Sequence, residues 1–287
     1  MADTILVTGA LGNVGSAVVQ ALSAAGYAPR AADLSVTQLR ARYGETVEAV
    51  ALDFGRPETF AAALAGVKRL FLMRPPQITD VKRYLLPFLD AAQTAGIGHV
   101  VFLSLIGIEQ NRRVPHYQVE QYLRASALRW TFLRASFFMQ NLSGTHRAEI
   151  RDRGELYVPV GRGKTSFIDV RDIGAVAAVA LTQPGHENTA YDLTGPAALD
   201  YDAVAAILSE VLGRTIVYRN PSVPAFLWRT LRSGAPLPFA LVMAFLYTQT
   251  RRGMSAFVTD EVARLLGRPP ITLRQFAADY RAVWQPQ

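Results

Sequence analysis

The chain has 287 residues, half of them hydrophobic and 18% charged, which excludes wholesale disorder and is length enough for about two domains of roughly 150 residues. There is no cysteine, so disulfides, thiolate nucleophiles and cysteine-ligated metals are excluded. The net charge of +7 is nearly all arginine, with lysine only at Lys68, Lys82 and Lys164; without a basic block or nucleic-acid motif it reads as a solvated surface, and no nucleic-acid partner is expected.

Residues 4–8 form a short β-branched run ending in a glycine-rich turn, as a buried strand does. A helix over 16–25 follows, stopped by Gly26. The alternation continues with strands at 28–32, 47–52, 69–73, 99–104 and 130–134 and helices at 36–43, 57–64, 79–95 and 115–125. Such alternation predicts an α/β, Rossmann-type doubly wound parallel sheet. Beyond Arg134 the rhythm breaks. Helices are expected at 137–149, 170–181, 201–212, 223–232, 239–247, 260–266 and 273–284, with a turn-rich stretch at 154–164 and one strand at 215–218. The division expected is a dinucleotide-binding domain over 1–150, with 165–182 returning to it, and a smaller, mostly helical substrate domain over 151–287, the ligand lying in the cleft between them. The longest nearly uncharged apolar run, 237–247, has 11 residues, where a spanning helix needs about 20. The N-terminus lacks the basic start and apolar core of a signal peptide. A cytoplasmic protein with no membrane partner is the expectation; whether it forms a homo-oligomer is left open.

Between the first strand and helix lies Gly9-Ala-Leu-Gly12-Asn13-Val14-Gly15. Small residues there let the backbone approach a pyrophosphate, whose charge the free N–H groups of a helix N-terminus stabilise. Asp33 follows the second strand, 18 residues after Gly15, in the place of a carboxylate that binds a ribose 2′-hydroxyl and repels a 2′-phosphate. This favours NAD(H) over NADP(H); the competing role is a helix N-cap, for which Ser35 is the rival. Asp53 and Phe54 follow the third strand, where a carboxylate and backbone groups are placed to meet the adenine edge. Met73 and Arg74 end the fourth strand at the sheet's carboxyl edge, where Arg74 meets cofactor phosphate or ribose, or is a solvated loop arginine.

These motifs, taken in order, resemble the NmrA-like group of atypical short-chain dehydrogenase/reductases. The similarity runs through most of the chain: Thr8–Gly15, Leu52-Asp53-Phe54, Val100–Gly107, His116-Tyr117-Gln118-Val119-Glu120, Trp130–Asn141, Asp169–Ile173, Tyr191–Pro196 and Leu212-Gly213-Arg214. The resemblance implies a Rossmann domain, a small C-terminal substrate domain and a nicotinamide dinucleotide. The group includes quinone, azo-dye and triphenylmethane-dye reductases, ergot-alkaloid-type reductases and nucleotide-sensing regulators. Two departures stand out. Many members carry an arginine after the second strand, where this chain has Asp33. None of the 11 tyrosines has a lysine four residues later, and Tyr117 is followed at that spacing by Gln121, so the superfamily's Tyr-x-x-x-Lys acid is missing.

Catalytic candidates are Ser104, where the superfamily's serine sits, together with His116 and Tyr117. Their bland alternatives are a turn hydroxyl, a surface histidine and an untuned phenol. Phe137, Phe138 and Met139 are expected to line a flat apolar pocket, or to be ordinary core, and Phe226, Trp228, Phe239, Phe245 and Tyr247 to close it. The histidines lack metal-ligand spacing, so no metal is predicted. The function read from these residues is an NAD(P)H-dependent oxidoreductase. It would pass hydride directly to an apolar conjugated or aromatic acceptor such as a quinone, dye, imine or enone, with protonation from water, Ser104 or His116. The alternative is a non-catalytic nucleotide sensor.

Overall fold

The computed structural model describes residues 4–112 and 114–285, and the chain divides into two compact units. The first comprises residues 1–135, 170–193 and 261–268. In it run β1 (Thr4–Thr8), α1 (Asn13–Ala24), β2 (Arg30–Asp33), α2 (Val36–Tyr43), β3 (Glu48–Ala51), α3 (Phe60–Leu64), β4 (Val67–Leu72), α4 (Val81–Thr94), β5 (His99–Leu105), α5 (Pro115–Ala125) and β6 (Arg129–Ala135), followed by α6 (Val170–Thr182), β7 (Thr189–Leu193) and α7 (Glu261–Leu266). The strands form one seven-stranded sheet in the order β7-β6-β5-β4-β1-β2-β3, every neighbouring pair parallel.

Parallel strands covered on both faces are apolar throughout, and β5 is buried along its length except at Leu105. Leu6, Leu70, Val100, Phe102 and Phe132 meet Phe60, Phe88 and Leu123 of the covering helices in one continuous core. Elsewhere in the unit α1 packs on α6. Gly174 permits this: a Cβ there would lie 2.6 Å from the backbone carbon of Ala17. The strand order reverses at β1, which has β2 on one side and β4 on the other. In open α/β sheets that reversal opens a crevice at the carboxyl ends of the strands.

The second unit comprises residues 136–169, 194–260 and 269–287. Its helices include Arg147–Arg153, Tyr201–Leu212, Val223–Arg232, Leu237–Arg251 and Leu273–Asp279. A three-stranded sheet joins Ala198–Leu199, Thr165–Ile168 and Phe137–Phe138, and Val217–Arg219 pairs with Glu155–Tyr157. Phe167, Tyr201, Leu208, Tyr247, Phe276 and Trp284 are central to its core.

Three expectations are corrected. The chain first leaves the sheet unit after Ala135, not at 150, and it returns at 170 and again at 261. Thr165–Ile168, expected to return with 165–182, stays in the second unit because it pairs there with Phe137–Phe138 and Ala198–Leu199. The helix expected from 137 is instead a strand, Phe137–Phe138, followed by separate helices at Gln140–Ser143 and Arg147–Arg153. Parallel pairing to Phe167–Ile168 extends the backbone first, and Gly144, at ψ −88°, breaks the later run. The seventh strand, Thr189–Leu193, was not expected at all; five residues with little flanking pattern become a strand because β6 offers an open edge.

Candidate active site

The loop after β1 is built so that backbone lies where side chains would ordinarily be. Gly9 has φ +63°, a conformation open to glycine, and a Cβ on it would fall 2.9 Å from Cε of Met73. Gly15 lies against the same loop: its Cβ would stand 2.1 Å from the Gly9 carbonyl oxygen. The Gly12 N–H donates to that carbonyl at 2.9 Å and closes the turn. Helix α1 then starts at Asn13 with Gly12 as N-cap, no side-chain cap and no acidic residue in its first turn. Its positive end and first N–H groups are left for an anion. Asn13 is exposed, whereas Val14 is 3% exposed and belongs to the core, so only its backbone is available to a ligand.

Asp33 is the last residue of β2. One carboxylate oxygen accepts the Leu11 N–H at 2.9 Å and the other the Leu34 N–H at 2.8 Å. The carboxylate thus holds the glycine loop to the end of β2 and keeps further lone pairs for a hydroxyl. The N-cap role falls to Ser35, whose hydroxyl accepts the Gln38 N–H. Two neighbours escaped the sequence reading. The Tyr43 hydroxyl donates to the Ala10 carbonyl at 2.5 Å, and Arg42 Nη1 donates to the Leu11 carbonyl at 3.4 Å. Burial raises the Tyr43 phenol, and of the nearby charges Arg42 opposes this while Asp33 adds to it. Both residues lie on the amphipathic end of α2, where nothing local distinguishes them from ordinary surface.

Asp53 closes a turn, its carboxylate accepting the Gly55 N–H at 2.8 Å. Phe54 is core: its ring stands edge-on to Phe88 at 5.1 Å, leaving only its backbone for the adenine role. Met73 is tied to β1 through its N–H, which donates to the Thr8 hydroxyl at 3.0 Å. Arg74 is not a solvated loop arginine: its Nε and Nη1 are held by the protein. Nη1 donates to the carbonyls of Pro75, Pro76 and Ile78 at 2.9, 3.2 and 2.6 Å, and Nε donates to His116 Nε2 at 3.4 Å.

His116, behind Pro115 at the start of α5, is therefore an acceptor at Nε2, which places its proton on Nδ1. Nδ1 is buried with no hydrogen-bond partner. Burial, reinforced by the Arg74 charge, pushes the imidazole down to about 3. A neutral ring is a hydrogen-bond donor and a weak acid, which suits His116 better to holding substrate or ribose than to giving up a proton. A stability consequence follows. The unfolded imidazole titrates near 6.5 and the folded one near 3, so between these values the unfolded state binds the extra proton and acid favours unfolding. His116→Gln is expected to flatten the fall in unfolding free energy between pH 6.5 and 3, read by denaturant titration across that range; His99, held at about 4 chiefly by burial, and His186, also lowered chiefly by burial, add slope of this kind.

Ser104 is also committed elsewhere. It is 1% exposed and donates to Glu120 at 2.6 Å; Glu120, itself 1% exposed, receives Arg134 Nε at 3.1 Å and Nη2 at 2.8 Å. Its proton is directed to a buried carboxylate, and the hydroxyl is part of the Glu120–Arg134 network. Tyr117 is partly buried, and its hydroxyl has no hydrogen bond to any described residue. In the second unit Phe137 and Phe138 are half-buried, whereas Met139, 1% exposed, is core and no pocket wall. The Phe137 ring meets Phe167 edge-on at 5.7 Å and Tyr247 at 6.4 Å. The Tyr247 hydroxyl and His146 Nε2 share a hydrogen bond at 2.7 Å, and His146 Nδ1 meets Glu149 at 2.6 Å; Tyr247 lies too far from His146 in sequence for the pair to be found by inspection. Among the described residues no group of three or more His, Asp or Glu is placed to hold a metal ion.

A parallel sheet with a glycine-cushioned, uncapped helix at its reversal point defines a dinucleotide-binding protein of the Rossmann class. Residues 1–261 match the NmrA-like family, and the chain belongs to it. It is 37% identical to NAD(P)H azoreductase of Xenophilus azovorans over 98% of this chain and 99% of that one. It is 34% identical to the (4-alkanoyl-5-oxo-2,5-dihydrofuran-3-yl)methyl phosphate reductase of Streptomyces griseus, over 99% of this chain and all of that one. Among solved structures, the triphenylmethane reductase of Citrobacter sp. complexed with NADP(H) is similar with a TM-score of 0.83 and 25% identity, covering 96% of this chain and 99% of that one.

Proposed function

We propose that the protein is an NAD(P)H-dependent reductase that passes a hydride to an apolar, conjugated or aromatic acceptor such as a quinone or an azo or cationic dye. The observation that carries this is the loop at the sheet reversal, where Gly9, Gly12 and Gly15 clear the backbone and the uncapped start of α1 faces the cleared space. The family and its named reductases support the same reading. When bound, the reduced nicotinamide supplies the hydride. The chain's own contribution is to hold and orient: the N–H groups of Asn13, Val14 and Gly15 take the pyrophosphate, Asp33 takes a ribose hydroxyl, and Arg74 fixes the 75–78 loop. With Ser104 engaged by Glu120 and His116 neutral, solvent supplies the proton. Phe137 and Phe138, half-buried and flat, suit an apolar aromatic acceptor, which needs little more than placement; near-attack positioning alone contributes about 7–11 kcal/mol in favourable cases. The test is NADH and NADPH consumption against quinones, azo dyes and triphenylmethane dyes. Oxidation that requires an acceptor supports the reading, and tight binding with no oxidation by any of them counts against it.

The finer part of the proposal is a preference for NADH. A 2′-phosphate beside the Asp33 carboxylate meets like charge, a close coupling of about 1–3 kcal/mol. Asp33→Ala is therefore expected to narrow the NADH preference by that amount in paired titrations of the two nucleotides. Tighter binding of NADPH by the unaltered protein would contradict it and would point to Arg42, at the loop's edge, as the phosphate's partner.

A further inference from the structure

We propose that the second unit docks on an anionic lipid surface through the helices Val223–Arg232 and Leu237–Arg251. Among the described residues fourteen large hydrophobic side chains are exposed, and all but Leu34 and Leu105 lie between residues 217 and 258. The helix Leu237–Arg251 is built inside out: Ala240 and Ala244 face the core with Tyr247, while Val242 and Phe245 are 56% and 51% exposed, flanked by Phe239 and Leu246. On the preceding helix Trp228 is 62% exposed with Leu231 beside it, and Arg232 lies over the Trp228 ring at 5.1 Å.

Charge selects the occupant. Residues 211–259 contain six arginines and no aspartate, glutamate or lysine; Arg219 and Arg229 pair with Glu155 outside this segment, and the charge toward solvent comes from Arg232, Arg251 and Arg252. At the end of the long helix, Arg251 and Arg252 share the lining of a cavity of about 850 Å³ with Arg162, Lys164 and Asp202. None of these four cations forms an ion pair among the described residues. A second copy joined through the same face would set arginine against arginine with no carboxylate of this segment to answer it. A bilayer with anionic headgroups answers both features at once. Aliphatic and indole groups enter the acyl boundary, arginines rim it, and the helix lies in the interface plane. At 1.5 Å per residue the 15-residue helix is about 22 Å long, and among the described residues no helix is long and apolar enough to cross a membrane. An apolar acceptor dissolved in the lipid would then be met where it resides.

The test is flotation of the full chain with vesicles of phosphatidylcholine alone and of phosphatidylcholine with phosphatidylglycerol. The proposal predicts at least tenfold stronger partitioning onto the anionic vesicles, reversed by salt. Arg251→Gln and Arg252→Gln should each weaken it by roughly fivefold, from about 1 kcal/mol per basic residue near the surface. Val242→Ser with Phe245→Ser should remove it while leaving the melting temperature in place, and Trp228 fluorescence should shift to the blue on binding and lose that shift in Trp228→Phe. Partitioning that ignores phosphatidylglycerol, or no partitioning at all, overturns the proposal. So does a dimer in sedimentation that Phe245→Ser dissociates, since the face would then be an interface between copies.

Discussion

Gly15→Ala is expected to abolish nucleotide binding, lowering affinity by at least a hundredfold, about 2.7 kcal/mol. The added Cβ would sit 2.1 Å from the Gly9 oxygen, 2.6 Å from its carbonyl carbon and 3.0 Å from the Ala10 Cα, and all three are backbone atoms. No rotamer change relieves such a contact. Helix α1 cannot retreat freely, because Gly174 of α6 is packed against Ala17 on it. The loop must therefore move, and with it the Gly9 carbonyl that closes the turn onto the Gly12 N–H. Overpacking of this kind costs typically 1–3 kcal/mol of stability, so the fold should survive. Gly12→Ala should be the milder change: its Cβ would meet the Gly9 oxygen at 3.2 Å and Met73 Cε at 3.5 Å, so the loop must yield by only a few tenths of an ångström. Circular dichroism and nucleotide titration on the same samples separate the effects. Undiminished affinity in a folded Gly15→Ala protein would place the dinucleotide elsewhere.

Glu120→Ala should cost about 3–5 kcal/mol of folding free energy, the range for removing one partner of a buried ion pair. Arg134 is 7% exposed and gives Glu120 donors from two of its nitrogens, Nε and Nη2; the third, Nη1, reaches Glu109, which lies largely in solvent. Without Glu120 the guanidinium keeps one exposed partner, and the Ser104 hydroxyl loses its acceptor in a site with no room for bulk water. Ser104→Ala removes a smaller interaction and should cost about 1–3 kcal/mol. Urea titrations of both variants check the ranking. If Ser104→Ala cut turnover a thousandfold while stability held, the hydroxyl would be catalytic and the structural account of it wrong.

How much of this was legible in sequence depends on how local the signal was. The glycine loop, the strand before it and the helix after it are encoded within twelve residues or so, and Asp33 lies at a spacing set by one βαβ unit, so all of them read directly. The split of Phe137–Glu149 did not, since the preference of Phe137–Phe138 for a strand comes from Phe167 and Ile168, thirty residues on. The same holds for Ser104, which looked like a site hydroxyl until Glu120 and Arg134 arrived beside it from α5 and β6. His116 was found as a candidate, but its neutral state follows from burial and from Arg74, neither visible in the local pattern. For Met139 the alternative of ordinary core is the one the structure shows, the commoner fate of apolar side chains beside a motif.

The most direct test of the reductase account is transient kinetics with a quinone acceptor and NADH carrying deuterium on one or the other face of the transferred position. The account predicts loss of the reduced-nicotinamide absorbance on mixing, with a primary isotope effect for one face only, and no pH break at the ordinary imidazole value from His116. Nucleotide bound tightly but never oxidised, by any acceptor in the panel, would contradict it and leave a nucleotide-sensing role in its place.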